Sequence, residues 1–166
     1  VSALAEALGL SFQEKSRFVA EVAEARWSEG KIVLVRPLTY MNRSGEAVRA
    51  LVDFYKLTVD DILIVHDEMD YELGRLAFCA QGGAAGHNGI RSVQEVLSTI
   101  KVARLRLGIG RPQGEMAKED YVLQRFSNEE QKLVDDVIKR SSLAIKDWCE
   151  KGINNVMNIW NVNGLV

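Results

Sequence analysis

"KIVLVRPLTYMNRSGEAVRALVDFYKL", residues 31–57, changes its hydrophobic period midway, and that change decides the fold. The first seven residues, "KIVLVRP", are an apolar run closed by a proline, which is how a buried strand ends. From Ser44 onward, Val48, Leu51, Val52 and Tyr55 fall on one face at helical spacing, with Ser44 as a candidate N-cap. Tyr40, Met41 and Asn42 lie between, on a loop joining the C-terminal end of a strand to a helix. In open α/β sheets such loops are where ligands bind.

The flanking segments extend the pattern. Val1, Leu4 and Leu8 share a helical face that stops at Gly9. Residues 18–27 and 31–36 flank "SEG" and predict a β-hairpin. "DILIVHDEMD" contains four consecutive apolar residues and predicts a strand buried on both faces. "GRLAFCA" reads as another strand, and "IRSVQEVLSTI" places Ile90, Val93, Val96, Leu97 and Ile100 on one helical face. "ARLRLGIG" alternates Leu105, Leu107 and Ile109 against Arg104 and Arg106. Ser127 and Glu130 form a capping box, after which Leu133, Val134, Val137, Ile138, Ile145 and Trp148 stripe a long helix ending at Gly152. Strands alternating with helices predict a single three-layer α/β/α domain over residues 1–166, built on a mixed, mostly parallel twisted sheet.

Composition excludes several classes. The chain has 166 residues, 47% apolar and 27% charged, enough for one substantial core. No apolar run approaches the ~18 residues of a membrane span. The opening "VSALAEALGL" has no basic leader or signal-type apolar core. Cys79 and Cys149 fit a reducing compartment better than a disulfide framework, so a cytoplasmic setting is expected. A net charge of −2 argues against indiscriminate binding to DNA or RNA, so any nucleic-acid contact must use a local patch.

Three loops at strand ends collect polar residues that a core does not need. They are Tyr40-Met41-Asn42, then "HDEMD" with His66 and Asp67, then "QGGAAGHNG" at 81–89. Each has an ordinary explanation. Asn42 can close an Asx turn or cap a helix, Asp67 can form a turn, and Asn88 can be an N-cap. The glycines of the third loop could present backbone N–H groups to an anion. No Lys-Ser/Thr follows them, however, and Gly83 and Gly86 do not complete a dinucleotide pattern. No serine sits in a G-x-S-x-G elbow, and two histidines with two cysteines give no zinc spacing. An amide-rich, carboxylate-containing cleft remains, suited to water-mediated chemistry or to binding.

"RPLTYMNRSG", "VHDEMD", "GGAAGHNGIRSV" and "RLRLGIGRP", in this order and spacing, resemble the bacterial-type peptidyl-tRNA hydrolases from about Val1 to Gly152. The resemblance implies hydrolysis of the ester joining a peptide to the 3′ ribose of tRNA. It further implies a monomeric α/β/α protein with peptidyl-tRNA as partner, without a metal or organic cofactor and without DNA or membrane contacts. By the same resemblance Asn42 holds substrate and the reacting water, while Tyr40 and Met41 line the pocket for the terminal adenosine and the peptide. Asp67 resembles the carboxylate that orients and stabilises a catalytic histidine. Asn88 resembles a substrate-binding amide that helps the developing oxyanion, with His87 beside it. Arg106 is similar to the residue gripping a tRNA phosphate. Asn42, Asp67 and Asn88 are therefore expected to converge on one cleft.

Two departures qualify the resemblance. The family's phosphate clamp includes a lysine where Cys79 stands here, so one contact is either missing or supplied from elsewhere, for instance by Arg91 or Arg111. The family also opens with a strand, a "GNPG"-type loop and an "RHN" segment carrying the general-base histidine. This sequence starts in what resembles the family's first helix, so the 166-residue chain alone is expected to be inactive. A non-catalytic RNA-binding relative is the alternative reading. On either reading, replacing Arg106 with Ala is expected to weaken tRNA binding and to flatten its salt dependence by about one phosphate contact. An unchanged slope of affinity against salt would place the clamp elsewhere.

Overall fold

The computed structural model describes residues 1–28, 30–112 and 114–161, and the chain is mixed α/β. It divides into two compact units, residues 1–63 with 81–102, and residues 64–80 with 103–166. In the first, α1 (Ser2–Ala7) precedes the strands β1 (Gln13–Lys15), β2 (Ala20–Trp27) and β3 (Gly30–Pro37). β2 pairs with β3 along its whole length, from Ala20 opposite Pro37 to Trp27 opposite Gly30. This is the expected hairpin; within its "SEG" turn, Glu29 lies outside the described residues. α2 (Ser44–Tyr55) and α3 (Asn88–Leu97) pack on each other. Phe18, Ala20, Val22, Ala47 and Leu51 form a buried cluster that joins α2 to the strands, with Val33, Val35 and Tyr55 at its margin. Full burial of a large apolar side chain contributes roughly 1.5–3 kcal/mol, so this cluster is what fixes α2 and the loop before it.

The second unit holds β4 (Leu63–Glu68, from Ile64 onward), β5 (Leu76–Cys79), β6 (Ala103–Gly108), the short α4 (Lys118–Tyr121) and α5 (Asn128–Trp160). The strand order is β4-β6-β5. Leu76, Phe78 and Leu105 are buried, as are Val134, Val137, Ile145 and Val156 of α5, which packs on β5. The Ser127–Glu130 capping box forms as the sequence indicates. Among the described residues no helix is long and apolar enough to cross a membrane.

Several expectations are corrected. Among the described residues the pairings β1–β2, β2–β3 and β5–β6 are antiparallel, in two three-stranded sheets, which is not the mostly parallel sheet expected. Short turns join β1 to β2 and β2 to β3, and a short connection can only reverse the chain. β4 is half-buried throughout rather than buried on both faces, since it is an end strand of its sheet. Leu133 and Ile138 are exposed; the buried stripe of α5 runs instead through Val134, Val137, Ser141, Ala144 and Ile145. Gly152 breaks α5, with φ 74° and ψ 170°, but helix resumes beyond it to Trp160.

The two halves of α5 are tied together by Asp147, which accepts from Lys151 Nζ at 2.5 Å and from Trp160 Nε1 at 2.9 Å. These bonds hold its carboxyl below the usual carboxylate range. Just past the helix, Asn161 completes the β5 backbone. Its Oδ1 accepts from the Phe78 N–H at 2.7 Å, and its Nδ2 donates to the Phe78 carbonyl at 2.9 Å. A single side chain thus occupies the place of a neighbouring strand at a position that is 1% exposed. Asn161→Ala is expected to cost about 1–3 kcal/mol by orphaning both groups, read as a lower urea midpoint. An unchanged midpoint would mean that the edge is satisfied by other groups.

Candidate functional site

The loop Tyr40–Asn42 begins where Pro37 ends β3. The Leu38 N–H donates to the Val19 carbonyl at 2.8 Å, which pins the strand's exit. Met41–Arg43 form a 3-10 turn, closed by the Arg43 N–H on the Tyr40 carbonyl at 2.8 Å. Ser44 is not the N-cap expected of it. Arg43 takes the cap position, Ser44 is the first residue of α2, and its hydroxyl donates to the Met41 carbonyl at 2.8 Å. Asn42 is exposed, Met41 is 58% exposed and Tyr40 80% exposed, so the loop offers its side chains outward.

The second loop of this unit turns through positive φ at Gly82, Ala85 and Gly86. It is held by Gln94 Nε2 donating to the Gly82 carbonyl at 2.6 Å and by the His87 N–H on the Ala84 carbonyl at 2.8 Å. His87, not Asn88, is the N-cap of α3. Its Nδ1 accepts from the N–H of Gly89 at 3.1 Å and of Ile90 at 3.3 Å. A ring nitrogen that accepts carries no proton, so the His87 proton sits on Nε2 and His87 is a donor there. The amide of Asn88, relieved of capping, is exposed at the first position of the helix.

Two glycines bring these loops together. A Cβ at Gly89 would stand 2.6 Å from Met41 Sδ, so the thioether lies directly on the first turn of α3. A Cβ at Gly45 would stand 2.3 Å from the Ser92 carbonyl oxygen, and the Gly45 N–H donates to Ser92 Oγ at 2.9 Å. Tyr40, Met41, Asn42, His87 and Asn88 are thereby gathered at the adjoining starts of α2 and α3. Gly45, Gly89 and Ser92 were not singled out from the sequence. The available signal was a glycine inside each helical pattern, which costs ~1 kcal/mol unless packing requires it.

Asp67 and Arg106 belong to the second unit, on β4 and β6. His66 Nδ1 lies 2.6 Å from the Asp67 carbonyl oxygen; a carbonyl only accepts, so Nδ1 carries the proton. The His66 Nε2 is shielded from solvent. Arg106 is 3.9 Å from the Glu68 carboxylate, and its guanidinium lies 4.6 Å from the Tyr71 ring centre. Arg111 is engaged by Asp70, with its Nε at 3.0 Å from Oδ1. Cys79 sits opposite Arg104, whose Nη2 approaches its sulfur to 3.3 Å.

Gly45→Ala is expected to force α2 and α3 apart, because its contact is backbone that cannot rotate away. The expected loss is about 1–3 kcal/mol, as for overpacking. Gly89→Ala meets the flexible end of Met41 instead and is expected to displace that side chain with a smaller loss. Thermal unfolding of both variants checks the ranking, and equal midpoints would contradict it.

The family model described as "Peptidyl-tRNA hydrolase" matches residues 1–165. A peptidyl-tRNA hydrolase of Neisseria meningitidis serogroup C is 45% identical over 137 residues, covering 82% of this chain and 71% of that protein. One from Synechococcus is 42% identical over 161 residues, covering 97% of this chain and 72% of that protein. Among solved structures, a peptidyl-tRNA hydrolase in complex with N-propanol superposes with TM-score 0.90 at 30% identity, covering 99% of this chain and 84% of the other. The Acinetobacter baumannii peptidyl-tRNA hydrolase superposes with TM-score 0.86 at 32% identity, covering 95% of this chain and 80% of the other. By sequence over nearly its whole length, this chain belongs to the peptidyl-tRNA hydrolase family.

Proposed function

We propose that the chain hydrolyses the ester between a peptide and the 3′ ribose of tRNA, acting in translation as a cytoplasmic monomer. The observation that most supports the reading is the pair of exposed amides, Asn42 and Asn88, at adjoining helix starts in a chain of this family. In the proposal Asn42 orients the ester and the attacking water, and Asn88 donates to the oxygen that gains charge as the carbonyl becomes tetrahedral. His87 Nε2–H is a second neutral donor beside it. Tyr40 and Met41 supply apolar surface for the adenosine and the peptide. Asp67 is assigned to stabilising an imidazolium, and Arg106 to a tRNA phosphate.

Neither histidine of the chain suits the role of general base. The His87 lone pair at Nδ1 is committed to the α3 cap, and His66 presents its basic nitrogen to a shielded site. General-base catalysis contributes typically 10²–10⁴-fold. Residues 1–166 alone are therefore expected to hydrolyse N-blocked aminoacyl-tRNA at least ~10²-fold more slowly than the Neisseria relative. Asn42→Ala is expected to lower the remaining rate by a further ~10²-fold, as loss of one oriented donor does. Hydrolysis indifferent to both Asn42→Ala and Asn88→Ala would remove these residues from the reaction. Binding of tRNA with no hydrolysis at any enzyme concentration would favour the RNA-binding alternative.

A further inference from the structure

Arg106 has a neighbour whose chemistry the family assignment does not use. β5 and β6 pair with Ala77 opposite Arg106 and Cys79 opposite Arg104. The register continues past β5, since the Gly108 N–H donates to the Arg75 carbonyl at 2.7 Å. Side chains alternate along a strand, so Arg104 and Arg106 share one face with Cys79, Ala77 and Arg75. The other face carries Leu105, Leu107, Leu76 and Phe78. Arg75 and Arg106 are diagonal neighbours on the arginine face, and such pairs stand ~7–8 Å apart at their backbones. The partners directly opposite them are small: Ala77 faces Arg106, and Gly108, opposite Arg75, yields its side-chain space to the 71–72 segment.

Tyr71 is placed between these two cations. Its ring centre lies 4.1 Å from the Arg75 guanidinium carbon and 4.6 Å from that of Arg106. The ring is anchored from below. The Tyr71 carbonyl accepts from the Gly110 N–H at 2.8 Å, and a Cβ on Gly108 would come within 2.9 Å of Tyr71 Cβ and 2.0 Å of the Glu72 carbonyl oxygen. Only glycine at 108 lets the 71–72 segment settle there.

Two like charges beside one ring repel each other unless an anion joins them. Among the local carboxylates, Glu68 forms a loose ion pair with Arg106 at 3.9 Å, too long for a hydrogen bond, and Asp70 is taken by Arg111, so neither joins Arg75 to Arg106. Glu72 is exposed. Arg75 is itself exposed and makes no ion pair among the described residues. A guanidinium resting on an aromatic face is restrained without spending its N–H donors, which stay free to grip an acceptor bidentately. Pre-ordering of this kind lowers the entropy lost on binding.

We infer that Arg75, Tyr71 and Arg106 form one seat for consecutive phosphates of an RNA backbone, with Arg75 as a contact additional to Arg106. The inference rests on the proposed tRNA substrate. It differs from the sequence-based expectation, which looked to Arg91 or Arg111; Arg111 is already engaged by Asp70.

The test is binding of labelled deacylated tRNA to the 166-residue chain across a salt series. Arg75→Ala is expected to weaken binding and to reduce the slope of log affinity against log salt by about 0.7–0.9, one phosphate contact. Arg75→Lys keeps the slope but not the full affinity, because an ammonium lacks the planar fork. Tyr71→Leu keeps both charges and is expected to weaken binding at unchanged slope. Inorganic phosphate, a lone anion, is expected to compete poorly; efficient competition would overturn a seat for consecutive phosphates. Wild-type tRNA binding with Arg75→Ala unchanged in affinity and slope would overturn the inference while leaving the proposed function intact. A wild-type chain that binds no tRNA would overturn both.

Discussion

The candidate site in the first unit depends on two bare Cα positions, Gly45, where backbone excludes a Cβ, and Gly89, where the Met41 side chain takes its place. Helix axes ordinarily stand 8–10 Å apart because side chains separate them. At Gly45 the backbone of α2 meets the backbone of α3 at Ser92, and a hydrogen bond from Gly45 N–H to Ser92 Oγ uses a donor that the helix start would otherwise leave open. At Gly89 the same exclusion is filled by Met41 from the preceding loop. Each contact is short-ranged, so a methyl group is enough to alter it. The exposed amides of Asn42 and Asn88 owe their common location chiefly to the backbone contact at Gly45, with Met41 packed at Gly89 beside it.

Much of the fold was legible because period-2 and period-3.6 patterns report burial directly. The switch between them at residues 38–44 located β3, the loop and α2, and Ser127 with Glu130 marked the start of α5. What stayed hidden was whatever depends on pairing rather than on pattern. β1 is "QEK", three polar residues with no apolar signal, recognisable only through Val22, Glu21 and Ala20 opposite it. Antiparallel pairing of β5 with β6 is likewise not written in either strand. The arginine face follows from that pairing, so Arg75 and Tyr71 could not be joined to Arg106 beforehand. The α3 cap illustrates a different limit. Asparagine outranks histidine as an N-cap, so propensity favoured Asn88, yet the chain uses His87 Nδ1 and leaves the Asn88 amide outward.

Charge is distributed in a way the net value of −2 conceals. Lys31 is paired with Glu24, Arg36 with Glu21, Arg43 with Glu46, Arg49 with Asp53, Arg140 with Asp136 and Lys151 with Asp147. Exposed pairs of this kind add little stability, typically 0–1 kcal/mol. They matter more for what they remove, since a cation beside a carboxylate projects little field toward a polyanion. Lys31 and Glu24 also meet Tyr55, whose hydroxyl donates to Glu24 and whose pKa is pushed up to about 12, chiefly by burial. That side of the first unit is neutralised internally. Arg75 contrasts with it, being held by an uncharged ring.

Taken separately, the two units offer different chemistry. The first offers neutral donors, amides and an imidazole N–H, at the starts of two helices. Neutral donors can be held ready without the several kcal/mol that desolvating an ion costs, and they strengthen as charge develops on an ester oxygen. The second offers Asp67 and the arginines, which the proposed function assigns to charged partners, an imidazolium and a phosphate. An ester carbonyl in its ground state carries little charge, whereas a phosphate always carries one. In the proposed function, amides serve the former and guanidinium groups the latter, so that binding energy from a tRNA body is not spent on overstabilising the unreacted ester. That is the condition for a hydrolase to gain rate, and not merely affinity, from a large substrate.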